Sequence, residues 1–172
     1  MTIVKLLAGA AIAASICLPV AAQVSGEGGP IRVKADRSEV LDKERKVILI
    51  DNVDITQGDA RLRADVVTLT YTGNTETVSA AGLGSTFGDI ETLTARGQVF
   101  YVTPDLKATG DLGVYETRTD TITLTGNVIL VRGEDVAKGE RLTIQLSAGK
   151  TTLDGGSSQV NMVIIPSDSE NQ

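Results

Sequence analysis

One signal recurs along this chain and limits what it can fold into. Asp51-Asn52-Val53, Gly97-Gln98-Val99 and Gly126-Asn127-Val128 are three versions of the same turn-then-strand pattern. Eleven residues after each Val comes a small residue followed by an acid: Ala64-Asp65, Gly110-Asp111 and Gly139-Glu140. A strand pattern follows in each case, ending near Leu69, Tyr115 and Ile144. Ala35-Asp36 precedes Ala64-Asp65 by 29 residues, the same separation as Gly110 from Gly139. A fixed period of this kind means stacked supersecondary units that share one continuous core.

Within the period the residues alternate. Ile122 and Leu124 share one face of a Thr-rich run, and Leu142, Ile144 and Leu146 do the same around Thr143 and Gln145. Val67, Leu69 and Tyr71 alternate with Thr68 and Thr70, and Ile31, Val33 and Ala35 alternate with Arg32 and Lys34. Period two in Thr, Val and Ile is the pattern of half-buried β-strands. Residues 47–50, 99–102 and 128–131 are continuous apolar runs, read as strands covered on both faces or with one face toward a ligand. Turn signals stand at Gly73-Asn74, Gly82 to Gly84, Gly126-Asn127, Gly133-Glu134 and Gly155-Gly156. The architecture expected is a stack of short antiparallel strands, either a jelly roll or a β-solenoid. Both leave strand edges at their ends, and such edges pair with another chain unless blocked.

The first segment reads as an address. Residues 1–5 are short and positive, 6–20 are apolar and broken by Pro19, and Val20-Ala21-Ala22 offers small residues for cleavage before Gln23. This is the pattern of a secretory signal peptide over 1–22. A membrane-spanning helix needs about 20 apolar residues, more than this run supplies. Cys17 lies inside the run behind the bulky Ile16, which disfavours lipid attachment there. Cleavage after Ala22 removes Lys5 and the single Cys, so the formal charge of −6 becomes −7 and no disulfide can form. The remainder suits one domain, 23–166, with a polar tail at 167–172 expected to be disordered.

Composition removes most chemistry. With no His and one Cys, neither Ser-His-Asp nor Cys-His catalysis nor a usual zinc site is available. Twenty-two acidic against 16 basic side chains make a poor nucleic-acid binder. The repeated acids Asp36, Asp65, Asp111 and Glu140 stand singly, without the spacing of a Ca²⁺ loop, and read as turn or strand-entry residues facing water. Lys43, Arg45 and Lys46, interleaved with Asp42 and Glu44, read as a solvated hairpin turn rather than a phosphate contact. No catalytic residue, metal or cofactor is expected. What remains is a long apolar interior, which is either a closed core or partly open to an apolar ligand. Period-two alternation looks the same in both.

At this point the chain resembles the periplasmic lipopolysaccharide-transport proteins of the LptA (OstA-like) type. The likeness begins with Pro30-Ile31-Arg32-Val33-Lys34-Ala35-Asp36, similar to the first strand of the family. It continues through Asp51-Asn52-Val53-Asp54-Ile55-Thr56-Gln57-Gly58, a variant of its Gly-Asn-Val motif with Asp51 in place of Gly. Ala64-Asp65-Val66-Val67, Leu124-Thr125-Gly126-Asn127-Val128 and the exit Val163-Ile164-Ile165-Pro166 follow in the family's order.

The resemblance implies an all-β fold, an elongated twisted β-jelly roll of many short antiparallel strands, open at both ends. It implies a periplasmic bridge that carries lipopolysaccharide from the inner to the outer membrane, with lipid A acyl chains held in an apolar groove. It implies head-to-tail pairing between copies and with related jelly-roll domains at both membranes, and ATP hydrolysis in a different subunit. The lipid-facing residues it implies are Ile31 and Val33 on the first strand and Phe100 and Tyr115 in the middle. Val67, Leu69, Ile122, Leu124, Ile144 and Leu146 are further candidates. Partner edges are implied at the first stretch, Pro30 to Ala35, and at the last strand, with Val160, Val163 and Ile165. Three alternatives stay open: a membrane-anchored sister component of the same pathway, an exported β-solenoid that binds or acts on polysaccharide, and a structural envelope protein with a closed core.

Overall fold

The computed structural model describes residues 30–72 and 89–165. The expected signal peptide, the tail at 167–172 and the turn signals at Gly73-Asn74 and Gly82 to Gly84 lie outside the described residues. Among the described residues ten strands form one antiparallel sheet: β1 (Arg32–Lys34), β2 (Arg37–Leu41), β3 (Lys46–Gln57), β4 (Ala60–Thr72), β5 (Asp89–Thr103), β6 (Leu106–Glu116), β7 (Thr121–Arg132), β8 (Asp135–Gln145), β9 (Lys150–Asp154) and β10 (Asn161–Val163). From β3 to β8 each strand pairs with the next in sequence. This meander excludes the solenoid, whose repeats would stack parallel strands.

The three copies of the repeated signal are not turns between strands. Each is a bulge in the middle of a long strand. Asp51 and Asn52 in β3, Gly97 and Gln98 in β5, and Gly126 and Asn127 in β7 all have positive φ. Two consecutive left-handed residues break the pleat and bend the strand. The registers show one extra residue on the bulged strand each time. Ile50 to Val53 faces Val66 to Ala64, Arg96 to Val99 faces Leu112 to Gly110, and Thr125 to Val128 faces Arg141 to Gly139. The eleven-residue spacing seen in the sequence is therefore a hairpin spacing. Val53 pairs directly with Ala64, Val99 with Gly110 and Val128 with Gly139.

The repeated acids hold these bulges. Asn52 Nδ2 donates to Asp36 Oδ2 at 2.7 Å, and Asn127 Nδ2 donates to Asp111 Oδ2 at 2.9 Å. Asp65 lies as close to Gly97 as Asp111 lies to Gly126: a Cβ on either glycine would come within 2.2 Å and 2.4 Å of the facing carboxylate oxygen. All four acids are exposed; Asp36, Asp65 and Asp111 bracket the three bulges from the outside of the sheet, while Glu140 lies beside Gly156.

The bulges divide the sheet into two half-sheets. One half runs β2, then the first half of β3, and ends on β9; the other runs β1, the second half of β3, and ends on β10. Thus β1 with β2, and β9 with β10, are single edge strands interrupted at the same bend. The two halves turn their apolar faces to each other and share one core. It includes Val47, Leu49, Val67, Tyr71, Leu93, Ala95, Ile122, Leu124 and Leu142 from one half and Val53, Ile55, Leu62, Tyr101, Ala108 and Val128 from the other. Each buried Val or Leu contributes about 1.5–3 kcal/mol. Gly113 lets them approach: a Cβ there would stand 3.0 Å from Leu124 Cδ2 and 3.1 Å from Val99 Cγ1.

The continuous apolar runs are covered on one face only. Phe100 in β5 and Ile129 in β7 point outward and are 36% and 38% exposed, while Val99, Tyr101 and Val128 are buried. The basic cluster forms a solvated connection. Asp42–Glu44 is one turn of 3-10 helix closed by Arg45 in the left-handed region, with Lys46 paired to Glu44 at 3.1 Å. Thr117–Thr119 and Asp120 repeat the same connection between β6 and β7.

Candidate functional site

The interior between the half-sheets is the feature most of the sequence-derived candidates share. Val67 on β4, Tyr115 on β6, Ile122 and Leu124 on β7 and Ile144 on β8 are all buried in it. Leu69 and Leu146 pack against it partly buried. Ile31 packs on its rim, and Val33 pairs with the buried Ile55 across β1 and β3, so Val33 belongs to the inner face although it is 37% exposed at the edge.

Phe100 is the correction. It pairs with Arg63 and Thr109 on the outer face, and the aromatic that enters the interior from β5 is its neighbour Tyr101. In an alternating run of four apolar residues the inward set is ambiguous by one position, and Phe100 outranks Tyr101 only on hydrophobicity. The signal that separates them is the register: Val99 pairs with Gly110 inside, so Tyr101 must follow it inside. Tyr71, wholly buried at the end of β4, was likewise absent from the candidates.

The interior is close-packed. The void bounded by Leu62, Leu93, Ala95, Tyr101, Tyr115, Ile122 and Leu124 measures about 20 Å³. The buried polar side chains of the interior include the phenols of Tyr71, Tyr101 and Tyr115 and the amide of Gln57. Tyr115 Oη donates to Asp120 Oδ1 at 3.1 Å. The Tyr101 phenol is pushed up to about 12, first by burial and then by the negative charge of Asp120. Between pH 10 and about 12 the unfolded chain ionises this phenol while the folded one keeps it neutral, so stability is whole below pH 10 and falls across that window. Ultraviolet titration of the folded protein against Tyr101→Phe should show the missing phenolate signal arising near pH 12; a missing signal centred at pH 10 would contradict the burial.

Outside, Asp54 is held below the usual carboxylate range, chiefly by its hydrogen bond from Arg61, with Nε to Oδ1 at 2.9 Å. Half of the Arg61 side chain is exposed, so this is a surface pair of small effect. Among the described residues no group of three or more Asp, Glu, Cys or His could hold a metal ion, and no helix is long and apolar enough to cross a membrane.

The outermost strands complete the geometry. Pro30 and Ala35 flank β1, and Val160, Val163 and Ile165 lie at and around β10, so the two sets stand at opposite ends of the sheet. Val160, Met162, Val163, Ile164 and Ile165 are 37% to 63% exposed, an apolar strip on the last edge.

A bent antiparallel sheet with an apolar inner face and a strand edge at each end defines a jelly roll. A family model described as LptA/(LptD N-terminal domain) LPS transport protein matches residues 32–150. The chain belongs to this family of lipopolysaccharide-transport proteins, whose members are carriers and not enzymes. An uncharacterised protein of Rhizobium meliloti (strain 1021) is 28% identical to it over 163 residues, covering 94% of this chain and 85% of that protein. The crystal structure of LptH from Pseudomonas aeruginosa, described as the LptA-homologous periplasmic component of the lipopolysaccharide transport device, matches with a TM-score of 0.64. Identity is 24%, over 80% of this chain and 96% of that one. That likeness is one of fold.

Proposed function

We propose that this chain works in the periplasm, after loss of residues 1–22, as a carrier that takes the acyl chains of lipopolysaccharide between its half-sheets and passes the molecule on between the two membranes. The observation that carries the reading is the single apolar inner face running from the β1 end to the β10 end. The acidic chain is ill-suited to grip a phosphorylated headgroup, so the acyl chains supply the affinity. A dozen buried methylenes would contribute roughly 10 kcal/mol gross.

Because the central interior is packed, the lipid enters where the face is already open. Ile31 and Val33 at the first edge make the first contact. Separation of the half-sheets then exposes Tyr115, Val67, Leu69, Ile122, Leu124, Ile144 and Leu146 in turn. The edges flanked by Pro30 and Ala35 at one end, and Val160, Val163 and Ile165 at the other, pair head to tail with further copies and with related jelly-roll domains at the inner and outer membranes.

The test is lipid capture. The chain from Gln23 and its Val33→Asp variant are each mixed with lipopolysaccharide and with the delipidated polysaccharide, and co-migration is read on size exclusion. Capture of the lipid-bearing form above that of the delipidated polysaccharide, with the excess lost in Val33→Asp, is the expected result. Equal capture by a folded Val33→Asp protein would overturn the groove. Val33 is at an exposed edge, so the variant should fold.

A further inference from the structure

A second cavity lies on the other side of the sheet. It measures about 570 Å³ and follows the line of bulges along the outer surface. Arg63, Gln98, Phe100, Thr109, Asn127 and Asn52 supply its side chains, together with the bracketing carboxylates Asp65 and Asp111. Val53, Ala64, Val99 and Gly110 form its floor and face the core instead.

Three properties decide what such a groove can hold. The first is its polar repertoire. Asn52, Gln98 and Asn127 repeat at the same bulge position on β3, β5 and β7, presenting amides in a row. Two of them are fixed in place by Asp36 and Asp111, so their orientation is set before any ligand arrives. Arg63, Gln98 and Thr109 make no side-chain hydrogen bond to another described residue. The second is Phe100, an outward aromatic more than a third exposed, set between Arg63 on β4 and Thr109 on β6. The third is charge. One Arg against two Asp leaves the groove net negative, which repels phosphate, nucleic acid and other anions.

Donors and acceptors around one apolar ring face, with no net positive charge, match a chain of neutral hydroxyl-bearing rings. The hydroxyls exchange hydrogen bonds with amides and carboxylates, and the C–H face of a sugar covers the aromatic. From β3 to β7 the groove spans four strand steps, roughly 19 Å, long enough for several rings in a row. We infer that the outer bulge line is a binding site for a neutral oligosaccharide, with Phe100 as its stacking platform and Asn52, Gln98 and Asn127 as its hydrogen-bonding row. The site is separate from the apolar interior and does not depend on what that interior carries.

The experiment follows the side-chain amide NMR signals of Asn52, Gln98 and Asn127 in the full chain from Gln23. The probes are neutral tetrasaccharides of glucose and of N-acetylglucosamine, with inorganic phosphate as the charged control. At least one tetrasaccharide should shift all three signals while phosphate leaves them in place. Phe100→Ala should weaken the response at least about tenfold. Because Phe100 points outward, that variant should keep its fold and its capture of lipopolysaccharide, which separates failure of this site from failure of the interior. Silence toward both tetrasaccharides, a response to phosphate instead, or an undiminished response in Phe100→Ala would overturn the assignment.

Discussion

Gly126→Ala should destabilise the fold by about 2–4 kcal/mol, although it adds one methyl group on the surface side of the sheet. Gly126 has φ +81°, where an L side chain costs roughly 1–2 kcal/mol. The new Cβ would also lie 2.4 Å from Asp111 Oδ2 and 2.9 Å from Asp111 Cβ. Asp111 would have to move, and it accepts the 2.9 Å hydrogen bond from Asn127 that holds the bulge. The two contributions can be separated. In Gly126→Ala with Asp111→Ala the clash with the carboxylate is gone, while the backbone strain and the close approach to the Cβ at position 111 remain, so the double variant should be less destabilised than the sum of its singles. Gly97→Ala, with Asp65 in the facing position, should behave alike. Urea unfolding of the set measures the coupling. A Gly126→Ala protein with the parent's midpoint would show that the bulge is not built this way.

Leu124→Asp should leave the chain unfolded, and Leu124→Ala should cost about 2–5 kcal/mol. Leu124 is 1% exposed, pairs with the fully buried Leu142 and closes over Gly113. A carboxylate there would lose its hydration among apolar neighbours. The control sits on the same strand. Ile129 is 38% exposed on the outer face, and Ile129→Asp should change stability by less than about 1 kcal/mol. Circular dichroism and thermal melts of the pair test the direction in which β7 presents its two faces. Equal tolerance of both substitutions would mean that the half-sheets do not enclose a core.

The contrast between these positions was only partly legible in the residues. All-β structure, the repeat and the inward set on β4, β7 and β8 follow from alternation, because one face of each strand must leave water. The length of the strands does not. On β4 the inward residues run 60, 62, 64 and then 67, 69, 71; on β6 they run 106, 108, 110 and then 113, 115. The phase slips at Asp65 and Asp111, opposite the bulges, so one strand reads as two short ones. Gly126-Asn127 has the composition of a hairpin turn because a bulge needs the same left-handed backbone. Phe100 and Tyr101 could be ordered only by the register of Val99 against Gly110. The acids were read as turn or strand-entry residues facing water; they do face water, but Asp65, Asp111 and Glu140 stand inside strands, and the partners of Asp36 and Asp111 were not visible, because Asn52 and Asn127 lie sixteen positions away. The outer groove left no trace in the hydrophobic pattern, since it is made by the bend and not by a run of residues.

The placement of a bulge on every second strand also sets how such a chain can grow. The stretch from Gly97 to Thr125 carries the sheet across two strands and returns it to an equivalent bulge at Gly126. A duplicated copy of that stretch would meet matching neighbours on both sides and leave the terminal strands untouched. Length in this architecture is therefore quantised, in increments of one hairpin or about 10 Å. A lineage can lengthen or shorten the molecule by gene duplication or deletion without redesigning either end.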